Sequence, residues 1–276
     1  MTTYHCHTQF CDGASTAEEM VLSAIKAGFP ALGFSSHAPV PFETFWTMPL
    51  NKSEEYTNEL IRLQAKYSDK IQIYRGLEVD YIKDEMNVKS PHIQAFNSDF
   101  HIGSIHFLGD IIVGGERWSV DGSPGEFQIG LDQIYGGDIK LLVKDFVDQS
   151  VAMMELGGID IVGHIDKIYQ HGCEYFSLDD KWYRDSVITL LEAAKANNQI
   201  VEINSKHHHV LGFFFPHQHF FKDLKQLNIP IQVNSDCHQK EMITAAYDLA
   251  YDLLKAVGIK EERLLLDGKW VDIPIQ

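Results

Sequence analysis

The sequence predicts one α/β domain built on parallel strands. Short β-like runs alternate with helical runs over all 276 residues, no linker-like stretch or internal repeat divides them, and hydrophobic residues make up 45%. Alternation of this kind implies right-handed crossovers between parallel strands, and seven such units fit either a barrel or an open doubly wound sheet. The 20 glycines and 9 prolines are scattered, which excludes collagen-like and low-complexity classes.

The elements follow in order. A strand over residues 3–7 leads to a helix over 15–27, where Ser15 and Glu18 have capping-box spacing, Met20, Val21, Ala24 and Ile25 form one apolar face, and Gly28 ends it. Strands over 31–37 and 71–78 flank a helix over 52–68, and Pro91 interrupts the segment 84–97. After a fourth strand, 100–107, the Gly-rich stretch 108–138 is expected to be a long functional loop within the single domain 1–276. Strands over 159–164, 200–204 and 230–236 then alternate with helices over 139–156, 179–197, 217–227 and 241–256.

Composition excludes several functions. Lys plus Arg is 23 against 39 Asp plus Glu, a net charge of -16, and such a chain repels nucleic-acid phosphates, so no nucleic-acid partner is expected. No apolar run approaches the roughly 18 residues that span a bilayer. Cys6, Cys11, Cys173 and Cys237 form no C-x-x-C pair and the chain opens on polar Met1-Thr2-Thr3, so reduced thiols and a cytoplasmic location are expected. The oligomeric state is not legible. What composition leaves to be explained is 14 histidines.

Their placement explains them. His5-Cys6-His7 puts two imidazoles on one face of a strand, and Asp236-Cys237-His238 repeats the pattern in the last strand. His37, Glu78, His106 and His164 each end another strand. Barrel enzymes assemble their sites at such C-terminal strand ends, and imidazole with carboxylate is the donor set of divalent transition metals. With Asp12 the candidates number nine, too many for one tetrahedral ion, so two to three divalent ions (Zn, Fe or Mn) are expected.

These motifs, His5-Cys6-His7-Thr8 with Cys11-Asp12-Gly13, then His37, Glu78, His106, His164 and Asp236-Cys237-His238, resemble the PHP (polymerase and histidinol phosphatase) metallophosphoesterases over essentially the whole chain. Ser36-His37-Ala38-Pro39, Pro41-Phe42-Glu43, Gly76-Leu77-Glu78-Val79-Asp80-Tyr81 and Gly103-Ser104-Ile105-His106 look most like the histidinol-phosphatase branch. The resemblance implies a distorted seven-stranded (β/α)7 barrel with its metal site at the C-terminal strand ends. It implies one metal on His5, His7, Glu78 and Asp236, a second on Glu78, His106 and His164, and a third on Asp12, His37 and His238, with Glu78 bridging. Asp12 stands where many relatives have His, a departure that bears on metal identity more than on reaction class.

The implied activity is hydrolysis of L-histidinol phosphate in histidine biosynthesis by metal-activated hydroxide, with Glu78, His106, Asp236 and His238 catalytic. The alternatives are another small phosphomonoesterase or a nuclease of the family, or a non-catalytic metal-binding module. Two loops could hold the organic part of a small phosphate ester: 41–50, with Phe42, Glu43, Phe45 and Trp46, and 108–138, with Glu116, Arg117, Trp118 and Asp121. Arg117, Trp118, Asn204, Lys206 and, from the run His207-His208-His209, His209 are the expected substrate contacts. Asp99 and His101 are expected to orient the ligand His106, Cys6 and Cys237 to face away from the metals, and His92, His171, His217 and His219 to be solvated or locally bonded.

Overall fold

The computed structural model describes residues 1–275. Its strands are β1 (Ala31–Phe34), β2 (Gln72–Asp80), β3 (Phe100–Ser104), β4 (Phe107–Val113), β5 (Glu116–Ser119), β6 (Ile161–Val162), β7 (Ile200–Asn204), β8 (Ile231–Asn234), β9 (Glu261–Leu266) and β10 (Lys269–Pro274). Six of them form one curled parallel sheet in the order β1-β2-β3-β6-β7-β8, a half-barrel with helices packed outside it. β1, β7 and β8 are buried at every residue, as strands covered on both faces are, although β7 and β8 alternate apolar with polar side chains (Glu202 and Asn204, Gln232 and Asn234).

The expected first strand is not a regular ladder. Residues 3–7 make two single parallel bridges, Thr3 to Leu32 and Cys6 to Cys237. The reason lies in side chains from elsewhere in the sequence: the Tyr4 and Cys6 amides donate to Asn234 Oδ1 at 2.8 Å and Ser35 Oγ at 3.2 Å in place of backbone carbonyls. The helix Ala17–Lys26 is capped one residue later than its sequence indicates, by Thr16 with Glu19, because Ser15 Oγ instead accepts from the Lys240 amide.

The stretch after β3 is not a structureless loop. β4 and β5 form an antiparallel hairpin turning on Gly114 and Gly115, both at positive φ, and Ser123 and Glu126 cap the helix Pro124–Tyr135 with a capping box. A second hairpin, β9 with β10, turns on Asp267-Gly268 and was not among the expected elements. Its Leu264 and Leu265 pack with Tyr4, Phe100, Ile161 and Ile200 against the N-terminal ends of the strands, closing the end opposite the histidines. No helix among the described residues is long and apolar enough to cross a membrane.

Candidate metal centre

At the C-terminal edge of the sheet the histidines converge. Glu78 and Asp80 share one face of β2, His37 follows β1, His106 lies between β3 and β4, His164 follows β6, and Asp236 and His238 follow β8. His5 and His7 enter from the bridging segment. His5, His7 and Glu78 are fully buried, and only Asp12 is exposed.

Glu78 is the centre of this arrangement. Its Oε2 lies 2.9 Å from His37 Nδ1, 3.1 Å from His5 Nε2 and 3.4 Å from His7 Nε2. Its Oε1 lies 2.9 Å from His164 Nε2 and 3.6 Å from His106 Nε2 and accepts from Ser104 Oγ at 2.7 Å. Asp236 Oδ1 is 3.1 Å from His7 Nε2 and 3.6 Å from His5 Nε2. His238 Nε2 is 3.1 Å from Asp12 Oδ2, while Asp12 Oδ1 is 3.8 Å from His7 and 3.9 Å from His37. Donor atoms fall into three tight groups: His7, Asp12, His37 and His238; His5, His7 and Glu78; His37, Glu78 and His106.

Five of the converging atoms, His5 Nε2, His7 Nε2, His37 Nδ1, Glu78 Oε2 and Asp236 Oδ1, are buried without a hydrogen-bond partner. Leaving a polar atom so costs about 1–3 kcal/mol, and five at one point are explained by a cation between them. The donor chemistry, imidazole with carboxylate, fits divalent transition metals.

Electrostatics agree with that fit. Burial opposes charge on Glu78, yet His5, His37, His106 and His164 outweigh it and hold the carboxyl well below its ordinary range. Asp236 is held low by His5, Lys206 and His7 against the same burial. Burial disfavours a charged His106, but Asp80, Glu78 and Asp121 raise its pKa to about 9. His7 is the reverse, lowered by burial and by its neighbours His238 and His37. His164 and Asp236 are also held at positive φ, 21° and 47°, a strain that functional sites often store.

Above the cluster opens a cavity of about 250 Å³ lined by Asp12, Trp46, His106, Arg117, Asp121, Lys167 and Lys206, among others. Lys206 Nζ stands 3.4 Å from Asp236 Oδ1 and 3.2 Å from His238 Nε2. Asn204 donates to Asp236 Oδ2 at 3.0 Å, so it faces a metal-ligand candidate. Arg117 borders the cavity with its guanidinium paired to Glu85 at 2.7 Å through both Nη atoms and stacked 4.8 Å from the Phe42 ring centroid. Trp118 is 2% exposed, its Nε1 donates to the Glu126 carbonyl, and its ring lies over Gly130. His209 is exposed and lies in a neighbouring depression with Val210, His238 and Met242.

Two of the expected helpers lie elsewhere. Asp99 accepts from the Arg75 amide and His101 donates its amide to Asp160, both at the start of β3 and so at the far end of that strand from His106. The group behind His106 is Asp80, which accepts from its Nδ1 and from its amide, each at 3.0 Å. The alternation of Glu78 and Asp80 on one strand face was the available signal. Lys167, almost fully buried with Nζ 3.4 Å from Asp121, was also missed. Cys6 and Cys237 are buried in the main hydrophobic cluster, as expected. His92 and His171 bond away from the cluster, to the Pro39 and Gly122 carbonyls of loops 53 and 49 residues earlier.

The chain is similar to known proteins in the same terms. It is 26% identical to a probable histidinol-phosphatase of Schizosaccharomyces pombe, over 92% of this chain and 86% of that one. It is 25% identical to the histidinol-phosphatase of Bacillus subtilis, over 88% and 96%. A match to a probable histidinol-phosphatase of Deinococcus radiodurans, 28% identical, covers 59% of each chain. Among solved structures it shares its fold with a putative histidinol phosphatase from Listeria monocytogenes, with a TM-score of 0.79, 22% identity and coverage of 90% and 99%. It also shares it with the histidinol phosphate phosphatase of Lactococcus lactis in complex with zinc, L-histidinol and phosphate, with a TM-score of 0.71, 22% identity and 98% coverage of both. The PHP domain profile matches residues 3–206, from the first histidine pair through β7 and Lys206, and by that match the chain belongs to the PHP domain family.

Proposed function

We propose that the chain is a cytoplasmic L-histidinol-phosphate phosphatase that releases L-histidinol and inorganic phosphate. The observation that carries this reading is the convergence of unpartnered buried donors on the floor of a small cavity flanked by Lys206 and Lys167. The names of the relatives that align along most of the chain support the choice of substrate. The metals would be two to three zinc, iron or manganese ions, held by His5, His7, Glu78 and Asp236, by Glu78, His106 and His164, and by Asp12, His37 and His238. The two oxygens of Glu78, turned toward different imidazoles, support its assignment as the bridge.

Divalent ions held there lower the pKa of water toward neutrality and offset the charge of a phosphate ester. The chain's own groups do the rest. Lys206 holds its proton firmly, since Asp236, Asp12, Glu78 and Asp121 outweigh burial, and is placed to pair with a phosphate oxygen. Asp121 is held low by Lys167 and His106 against burial and stands in the cavity wall paired with Lys167 Nζ at 3.4 Å. Trp46, edge-on to His37 and His106 and stacked on Phe107, walls the cavity. Arg117, Trp118, Asn204 and His209 remain candidate substrate contacts. The burial of Trp118 and the existing partners of Arg117 and Asn204 favour support of the cavity wall over direct contact.

A panel of phosphate esters tests the reading. Metal-loaded protein should turn over L-histidinol phosphate with a kcat/KM at least tenfold above those for sugar phosphates and nucleotides, and should leave single-stranded DNA intact. A preference for another monoester would move the assignment to that substrate. Cleavage of DNA would make the chain a nuclease, and turnover of nothing would make it a metal-binding module.

A further inference from the structure

We infer that Glu202, a β7 carboxylate outside every proposed metal set, is the positioning residue that holds three of the ligands in register and fixes which nitrogen of His5 faces the metal. The inference rests on the metal-centre reading above and not on the identity of the substrate. Glu202 is fully buried, and its two oxygens meet four nitrogens. Oε1 is 2.7 Å from His5 Nδ1 and 3.1 Å from Asn234 Nδ2. Oε2 is 2.8 Å from the His164 amide and 3.0 Å from Asn204 Nδ2.

The direction of three of these bonds is fixed by other partners. Asn234 Oδ1 accepts from the Tyr4 amide and Asn204 Oδ1 accepts from the Lys206 amide, so each asparagine must turn its NH₂ toward Glu202. The His164 amide can only donate. A carboxylate here is acceptor-only with room for about four donors, and we assign the fourth place to His5 Nδ1–H. With Nδ1 engaged by Glu202, Nε2 is the nitrogen left to face a metal. Nε2 is the atom that points at Glu78 and Asp236.

The same carboxylate sets geometry. By holding the His164 amide it steadies a backbone at positive φ, and through Asn204, which also donates to Asp236 Oδ2, it reaches a second ligand at positive φ. Ligands carried by the bridging segment, by the turn after β6 and by the turn after β8 are thus tied to one side chain. Asp80 holds only His106.

Glutamine in place of Glu202 cannot do this. Whichever way its amide turns, one NH₂ faces donors: toward His5 it forces the ring proton onto Nε2 and blocks the metal face, and toward His164 and Asn204 it sets donor against donor. Removing such an outer partner commonly lowers metal affinity 10- to 100-fold. Apo Glu202→Gln should therefore bind zinc at least tenfold more weakly than the wild type in a chelator-competition titration, with Glu202→Asp, too short to reach both sides, impaired likewise. Zinc affinity within twofold of wild type in a folded Glu202→Gln would overturn the inference. Should that variant fail to fold, ¹⁵N NMR of zinc-loaded wild-type protein decides: a protonated Nδ1 with a metal-bound Nε2 at His5 is expected, and the opposite tautomer refutes it. Neither readout involves histidinol phosphate, so failure of the substrate assignment would leave both results interpretable.

Discussion

Glu78 turns its two oxygens toward different imidazoles, Oε2 to His5, His7 and His37 and Oε1 to His106 and His164. If it bridges, Glu78→Gln removes charge from two ions at once, and elemental analysis of the purified variant should find roughly two fewer ions per chain than wild type. Loss of one ion would show that only one oxygen ligates. Residues of this kind were legible in the sequence because a strand end and a period of two place a side chain without knowledge of the rest of the fold. The groups behind them were less so. Asp80 supports His106 across a strand boundary, a pairing set by the β2–β3 register, whereas Asp99 and His101 are near His106 only along the chain.

At the scale of elements, the two walls of the cavity behave differently. Trp46 is half-buried in the 41–50 loop and faces His37 and His106, whereas Trp118 on β5 is buried, and a side chain at Gly130 would come within 2.0 Å of its ring. Trp46→Ala should lower kcat/KM for histidinol phosphate more than for a generic aryl phosphate while leaving the melting temperature within a few degrees. Trp118→Ala should instead cost about 3–5 kcal/mol of stability by denaturant unfolding. Equal loss of stability in the two variants would contradict this division. Both hairpins carry the dipeptides that two-residue turns need, Gly114-Gly115 and Asp267-Gly268, but their strands lack clean apolar–polar alternation, so periodicity does not mark them as strands.

The β9–β10 hairpin carries a buried acid as well. Burial, the largest influence, raises the Glu262 carboxyl above its ordinary 4.5 despite hydrogen bonds from Tyr251 and the Val233 amide. A carboxyl raised in the folded state favours folding while protonated, and that contribution is lost as pH climbs from the unfolded value through the folded one. Glu262→Gln should therefore gain stability relative to wild type between pH 5 and pH 8, read as the difference of two denaturant midpoints at each pH. A difference that does not change with pH would mean that Glu262 is ionised throughout.

In the whole molecule, a hairpin closes one end of a curled six-stranded sheet and the other end gathers histidines and acids from almost every strand. The class of fold was readable from strand and helix alternation. The irregular pairing of residues 3–7 was not, because it depends on Ser35 and Asn234, distant in sequence, taking over backbone hydrogen bonds. The central claim, that this edge is a multinuclear phosphatase centre, is tested most directly by measuring kcat/KM for L-histidinol phosphate on chelator-stripped protein as zinc or manganese is returned in measured equivalents. Turnover should be lost on stripping and should reappear only as the second equivalent per chain binds. Undiminished turnover by protein that elemental analysis shows to be metal-free would contradict the claim.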